Sequence, residues 1–90
     1  MVQKKFKVTA EAGIHARPAT ILVNEAVKYK CDIELALESK VVNLKSIMGV
    51  MSLGIYNGEI ITIICNGEDE TQALDGLIDV FFEMKLGKEI

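Results

Sequence analysis

The stretch "EIITIIC" at residues 59–65 decides the fold. Five of its seven residues are β-branched, which favours an extended strand because branched side chains pack well on a pleated surface. The preceding pair, Asn57-Gly58, is a strong turn signal. We therefore expect residues 59–65 to form a central strand that begins directly after a turn.

The rest of the chain divides into alternating strand and helix patterns around this stretch. Apolar residues recur every second position in strands and every third or fourth in helices. These periods predict a strand at 2–9, a helix at 16–29, strands at 32–38 and 41–44 joined by a turn, a short helix at 46–53, and a long C-terminal helix.

The C-terminal helix has its own start and stop signals. Asp69 with Gln72 resembles a capping box, and Gly87 is a plausible stop. Between them the helix carries an apolar stripe, which consists of Ala73, Leu74, Leu77, Ile78 and Phe81. The stripe predicts that one face of this helix packs on the sheet.

The element order β-α-β-β-α-β-α predicts the fold class. Two strand–helix units around a hairpin favour one four-stranded sheet with the helices on a single face, which is an α+β two-layer architecture. Ninety residues suffice for one domain, and no repeat or linker interrupts them, so we expect a single domain over 1–90.

Charge and cysteine content limit the classes of function. The net charge of −3 argues against nucleic-acid binding through a basic surface. Residues 1–45 carry a net +3 and residues 46–90 a net −6, which suits an acidic partner or an ordinary solvated surface equally well. Cys31 and Cys65 are far apart in the sequence, and we find neither a signal peptide nor an apolar run of membrane-spanning length. We expect a cytoplasmic protein with free thiols and no membrane insertion.

The segment 13–20, "GIHARPAT", contains the only His, Arg and Pro of the chain. Pro18 is tolerated in the first turn of a helix, where its missing N–H has no partner anyway. Arg17 stands where a cation is disfavoured by the helix dipole, and no acid offsets it. A bound anion resolves the conflict, because the free N–H groups of that turn and a guanidinium both suit phosphate.

His15, at the start of this helix, is a candidate nucleophile. A neutral imidazole can attack a phosphoryl group and hold it as a labile phosphoramidate. The alternative is a surface histidine that caps the helix, with Arg17 merely solvated, and the spacing alone leaves both open. One histidine without a nearby cysteine predicts no zinc site, and no motif indicates a cofactor.

Several motifs together resemble the HPr family, the histidine-containing phosphocarriers of the bacterial phosphotransferase system. "GIHARPAT" is followed by "VNLKSIMGVMSLG" and "GEDETQAL" at the family's spacing, over nearly the whole chain. The resemblance implies an open-faced β-sandwich with strand order 1-4-2-3 and three helices. It implies that His15 accepts phosphate from enzyme I and passes it to sugar-specific IIA domains, that Arg17 and the backbone of Ala16 and Arg17 stabilise the phosphate, and that the protein is not itself an enzyme.

One position departs from the family pattern. Relatives often carry a polar side chain where this chain has Ala12, and such a side chain can hydrogen-bond the phosphoryl group. Ala12 has no group to do so. We therefore expect the backbone and Arg17 to suffice for the activity here.

Ser46 precedes the short helix "IMGVMSL" at 47–53. Serine is a favoured N-cap, which is sufficient reason for its presence. The helix behind it carries more apolar side chains than a short surface helix can bury, so we expect some of them, above all Ile47 and Met48, to be exposed for partners. A phosphate on Ser46 would suit the helix dipole and would add about two negative charges beside that patch.

"NLKSIMG" resembles the regulatory site of HPr proteins from low-GC Gram-positive bacteria. The resemblance implies that HPr kinase/phosphorylase modifies Ser46 and that the modified form binds a catabolite control repressor. It also places partner contacts at Thr20, Ile47, Met48 and Met51.

Other classes of protein fit less well. A purely regulatory HPr-like corepressor or interaction module would not need His15, and a nitrogen-branch phosphocarrier stays open. An acyl carrier would need Asp before its serine, whereas Ser46 follows Lys45. A P-loop would need Lys and Ser or Thr where Ile55 and Tyr56 stand.

Overall fold

A computed structural model of the chain describes all residues, 1–90. It contains five strands and three helices in the order β-α-β-β-α-β-α-β. The elements are β1 Val2–Val8, α1 Ala16–Ala26, β2 Asp32–Leu37, β3 Lys40–Asn43, α2 Ile47–Leu53, β4 Ile60–Asn66, α3 Glu70–Glu83 and β5 Gly87–Glu89.

The sheet is antiparallel throughout and has the order β3-β2-β4-β1-β5. Strand β4 lies at its centre, as predicted from its β-branched run, with Ile61 paired to Phe6 on one side and to Leu37 on the other. The predicted order 1-4-2-3 is confirmed, but the sheet has five strands instead of four. The additional strand β5 has the sequence Gly-Lys-Glu, which has no apolar alternation, so only its backbone pairing with β1 defines it.

One face of the sheet carries the core and the three helices, and the other face is open. Alternate strand residues point inward, so Phe6 and Val8 of β1 are fully buried against α3. The rings of Phe6 and Phe81 lie with centroids 4.5 Å apart. The open-faced α+β architecture is therefore confirmed. No helix combines the length and the apolar character needed to span a bilayer.

Asp69 does not form the predicted capping box. It is the residue before α3, but its side chain makes no capping hydrogen bond. Its carboxylate instead accepts the N–H groups of Lys30 and Cys31, both at 2.9 Å, and the first of these bonds is the main cause of the lowered pKa of Asp69. The local side-chain hydrogen bond at the start of α3 is made by Glu70 instead, whose Oε1 accepts the Gly67 N–H at 3.0 Å. This long-range use of Asp69 has no sequence signal.

Helix α1 is three residues shorter than predicted and ends at Ala26. The apolar period continues to residue 29, but the chain turns so that Lys30 and Cys31 can reach Asp69. Tyr29 lies after the helix end, where its hydroxyl donates to Glu25 at 2.8 Å and its carbonyl accepts Lys45 Nζ at 2.7 Å.

Gly87 is not the stop signal of α3. The helix ends at Glu83, and Lys85 follows in the left-handed region with φ 54°. Gly87 instead lies in β5, where a Cβ atom would overlap the carbonyl oxygen of Lys7. The glycine is therefore required by close strand pairing, which the sequence pattern does not reveal.

Candidate functional site

His15 is the N-cap residue of α1. Its backbone is extended, with φ −96° and ψ −165°, and its carbonyl accepts the Ala19 N–H at 3.0 Å. Its side chain makes no capping hydrogen bond and is exposed to solvent. The imidazole therefore occupies the position of a helix cap without acting as one, and both of its ring nitrogens are available.

The loop before His15 is fixed against the chain that follows α2. Ile14 donates its N–H to the Ile55 carbonyl at 3.0 Å, and Gly13 donates to Ala10 at 2.9 Å. Gly13 has φ +68°, and a Cβ atom there would overlap the same Ile55 carbonyl oxygen. Only glycine fits both requirements, which explains its place two residues before the histidine.

The first turn of α1 presents unpaired donors. The N–H groups of Ala16 and Arg17 have no acceptor within the protein, and Pro18 has no N–H. No acidic residue lies in this turn, and the exposed Arg17 forms no ion pair. The unpaired N–H groups, the positive end of the helix dipole and the free guanidinium together favour an anion at this place.

His15 and Arg17 line one cleft of about 250 Å³. The other residues that line it are Ala10, Ala12, Gly13, Pro18, Ile21, Met84 and Leu86. The methyl group of Ala12 leaves no side-chain donor beyond those of His15 and Arg17. A larger cavity of about 480 Å³ lies across β2, β3 and β4, but neither His15 nor Ser46 lines it.

Ser46 is the N-cap residue of α2 and does act as a cap. Its Oγ accepts the Gly49 N–H at 3.0 Å. A Cβ atom at Gly49 would lie 3.3 Å from this Oγ, so a larger residue there would crowd the capping hydroxyl. The structural reason for a serine at this position is therefore present, and the partly buried hydroxyl lies at the positive end of the α2 dipole.

Helix α2 buries one side and exposes the other. Val50 and Leu53 are buried, whereas Met48 is 84% exposed and Ile47 and Met51 are each 42% exposed. The exposed apolar side chains therefore lie on the helix that Ser46 begins, and this helix packs against α1.

Thr20 and Ile21 lie on α1, the helix that begins after His15 and packs against α2. The Thr20 hydroxyl donates to the Ala16 carbonyl at 2.8 Å, so it is held within its own helix and only partly exposed. Ile21 is 41% exposed and also lines the His15 cleft. No motif in the sequence singles out Ile21, although its place one turn beyond Arg17 is a usable signal.

No group of three His, Cys, Asp or Glu side chains is arranged to hold a metal. Cys31 and Cys65 are free thiols buried in the core. Burial is the main cause of the raised pKa of Cys65, which is about 12. A thiol of this kind is a poor nucleophile near neutral pH, so His15 and Ser46 remain the two candidate sites.

Comparison with known proteins identifies the family. A family model described as "PTS HPr component phosphorylation site" matches residues 2–83. The structure of the histidine-containing phosphocarrier protein of Mycoplasma aligns with a TM-score of 0.94 and 36% identity, over 97% of this chain and 99% of that one. The HPr of Bacillus anthracis aligns at 0.80 and 44%, over 88% and 94% of the two chains.

A third relative is Crh, the catabolite repression protein of Bacillus subtilis. It is 44% identical and aligns with a TM-score of 0.72 over 92% of this chain and 95% of that one. The chain belongs to the HPr family of phosphotransferase-system proteins, which carry phosphoryl groups between partner proteins and are not enzymes themselves.

Proposed function

We propose that this chain accepts a phosphoryl group on His15 from phosphorylated enzyme I and passes it to sugar-specific IIA domains. The observation that carries the proposal is that His15 is the N-cap residue of α1 but its side chain makes no capping hydrogen bond. We call this arrangement a vacant cap. The imidazole is free, Arg17 lines the same cleft, and the N–H groups of Ala16 and Arg17 have no acceptor. The site therefore has a nucleophile and anion donors in one place.

The transfer needs only groups that this cleft and the partner supply. A ring nitrogen of neutral His15 attacks phosphorus, a nitrogen–phosphorus bond forms, and the bond from phosphorus to the donor protein breaks. The phosphoryl oxygens then carry negative charge beside the Ala16 and Arg17 N–H groups. Donors that are fixed before reaction stabilise this charge without reorganising. In the transfer to the IIA domain the roles are reversed: a nucleophile of that domain attacks phosphorus, a bond from phosphorus to it forms, and the bond from phosphorus to the His15 nitrogen breaks.

Arg17 is an exposed and unpaired side chain of the phosphate site. Its guanidinium forms no ion pair in this structure, so it can approach the phosphoryl oxygens without breaking an existing contact. Ala12 offers no additional hydrogen bond. We assign the stabilisation of the phosphoramidate to Arg17 and the two backbone N–H groups alone.

The docking surface consists of Thr20, Ile47, Met48 and Met51. Its exposed methionines and isoleucine form an apolar patch on α2, and Thr20 lies on α1, which packs against α2 and begins at His15. Methionine side chains adapt to different partners. A small adaptable patch supports brief contacts with enzyme I and IIA domains, which must both load and unload the same histidine.

Ser46 is the proposed regulatory site. HPr kinase/phosphorylase would modify its hydroxyl, and a catabolite control repressor would bind the modified form. A phosphate there lies at the N-terminus of α2, directly before Ile47 and Met48, so it places negative charge against the docking surface. The added charge would weaken contact with acidic partner surfaces while leaving the helix capped.

A purely regulatory interaction module is the second candidate, since Crh is among the similar structures. That function needs Ser46 and α2 but not a free imidazole beside Arg17. The presence of both His15 and Arg17 favours the carrier. We further propose that residues 1–90 act as one carrier domain in the cytoplasm.

The test is intact-mass measurement after incubation with enzyme I, Mg²⁺ and phosphoenolpyruvate. We expect one acid-labile phosphate on the native chain and on Ser46→Ala, and none on His15→Ala. An unchanged mass of the native chain, with an enzyme I that charges a known carrier, would contradict the carrier function. The regulatory candidate would then remain.

A further inference from the structure

The C-terminal segment after α3 contacts the loop that ends at His15. The Leu86 carbonyl oxygen accepts two N–H groups, from Thr9 at 2.9 Å and from Ala10 at 3.1 Å. Thr9 and Ala10 are the first residues after β1, at the start of that loop. A single backbone oxygen therefore fixes the point at which the loop leaves the sheet.

The position of this oxygen is determined by the end of α3. Lys85, in the left-handed region at φ 54°, donates to Phe82 at 3.0 Å, and Leu86 donates to Phe81 at 3.2 Å. This pair of bonds is a Schellman motif, which satisfies the last carbonyls of a helix and sets the direction of the following chain. The Leu86 side chain is 3% exposed, so both its backbone and its side chain are anchored.

The His15 loop is thus fixed at two points. Ile55 accepts the Ile14 N–H near the histidine, and Leu86 accepts Thr9 and Ala10 at the other end. Leu86 also lines the cleft that contains His15 and Arg17. Removal of the Leu86 contact frees one end of the loop and opens one wall of the cleft.

We propose that Leu86 is a positioning residue for phosphoryl transfer: its carbonyl fixes the loop that carries His15, and its side chain forms a wall of the phosphate cleft. This inference rests on the proposed function of His15. Its physical basis is that transfer between two proteins needs the nucleophile in line with the phosphorus, and misplacement by about 1 Å can cost about a hundredfold in rate.

Two C-terminal truncations separate the Leu86 contact from the rest of β5. A chain that ends at Lys85 loses Leu86 together with residues 87–90. A chain that ends at Gly87 retains the Leu86 amide carbonyl and loses only residues 88–90. Both chains lose the pairing of residues 88 and 89 with β1. Only the chain that ends at Lys85 also loses the carbonyl oxygen that accepts the Thr9 and Ala10 N–H groups.

The first measurement is the rate of phosphorylation by enzyme I at a temperature at which circular dichroism shows all chains folded. We expect a fall in kcat of about tenfold or more for the chain that ends at Lys85, with a KM within about threefold of the native value, because the docking residues are unchanged. The chain that ends at Gly87 should stay within about twofold of the native rate.

The second measurement uses no partner and therefore distinguishes failure of this inference from failure of the proposed function. Proton–nitrogen NMR spectra should show shifted His15, Ala16 and Arg17 amides in the chain that ends at Lys85, and native positions in the chain that ends at Gly87. Equal spectra, or equal slowing of both truncations, would overturn the role of Leu86 even where His15 carries phosphate. Absence of phosphate on the native chain would overturn the carrier function and with it the role of Leu86 in transfer, while shifted amides in the chain that ends at Lys85 would still show that Leu86 fixes the loop.

A substitution in the full chain covers the case in which the shorter truncation does not fold. Gly87→Ala places a Cβ atom against the Lys7 carbonyl oxygen, which displaces Gly87 and the adjoining Leu86 carbonyl. Lys88→Ala, at an exposed position in the same strand, is the matched control. We expect Gly87→Ala to shift the His15, Ala16 and Arg17 amides and Lys88→Ala to leave them unchanged. Native spectra for Gly87→Ala would contradict the proposal.

Discussion

The N-termini of α1 and α2 differ in whether the side chain of the N-cap residue accepts a backbone N–H group. At α2 the Ser46 hydroxyl accepts the Gly49 N–H at 3.0 Å and completes the helix. At α1 the His15 side chain makes no such bond, and the Ala16 and Arg17 N–H groups are left without acceptors. An uncapped helix end is less stable. The contrast supports the proposal that α1 gives up local stability to keep an anion site vacant, whereas the N-terminus of α2 is already capped.

The largest expected effect comes from filling the vacant cap. His15→Ser removes the nucleophile and supplies a capping hydroxyl, so phosphorylation by enzyme I should be abolished while the free energy of unfolding rises by about 1 kcal/mol. His15→Ala is the control, which loses transfer without the gain in stability. Intact mass and urea unfolding measure the two effects. A less stable His15→Ser would contradict the idea of a vacant cap.

The next effect concerns the charge at the same helix end. Arg17→Ala should lower the rate of transfer by about a hundredfold, since it removes the only side chain placed to stabilise the phosphoryl oxygens. Arg17→Lys should recover part of the rate, because a lysine keeps the charge but not the bidentate geometry. Rapid-quench measurement of phosphoryl transfer gives both rates. Native kinetics for Arg17→Ala would show that the backbone donors suffice without it.

A smaller effect is expected on the exposed face of α2. Met48→Asp should raise the KM for enzyme I and for IIA domains by about tenfold, since it puts a charge into the proposed docking surface. It should leave the melting temperature unchanged, because this side chain is 84% exposed. The matched control is Lys88→Ala, an exposed position on β5. A KM unaffected by Met48→Asp would exclude α2 from the docking surface.

The smallest expected effect is on the complete cap. Ser46→Ala should destabilise the fold by about 1 kcal/mol, which corresponds to a fall of roughly 4–8 °C in melting temperature for a chain of this size. Ser46→Asp should keep the cap, since a carboxylate can accept the Gly49 N–H, and should slow transfer through its charge. Calorimetry measures the melting temperature of each variant, and transfer kinetics measure its rate of phosphoryl transfer. An unchanged melting temperature of Ser46→Ala would mean that the Gly49 bond contributes nothing.

The sequence predicts the central architecture because local patterns and turn signals agree there. The β-branched run of β4, the paired strands on either side and the apolar stripe of α3 all appear where the periods indicate. The segment around His15 was also predictable as a loop followed by a helix start, since Gly13 favours a tight loop and Pro18 favours the first turn of a helix.

The remaining features depend on contacts that are distant in sequence. Asp69 binds the N–H groups of Lys30 and Cys31, almost forty residues away, so its expected capping role was wrong. Strand β5 forms because the chain leaves the end of α3 beside β1. Gly87 permits the close pairing with β1 instead of ending the helix. No periodicity in the sequence encodes either contact.

The most direct test of the vacant cap is to follow the amide protons of both helix ends by NMR during phosphorylation by enzyme I. We predict downfield shifts of the Ala16 and Arg17 amide protons as they donate to the phosphoryl group, with the Gly49 amide unchanged. Unshifted Ala16 and Arg17 amides in a fully phosphorylated sample would contradict the account, because the phosphate would then be held without the donors that α1 leaves free.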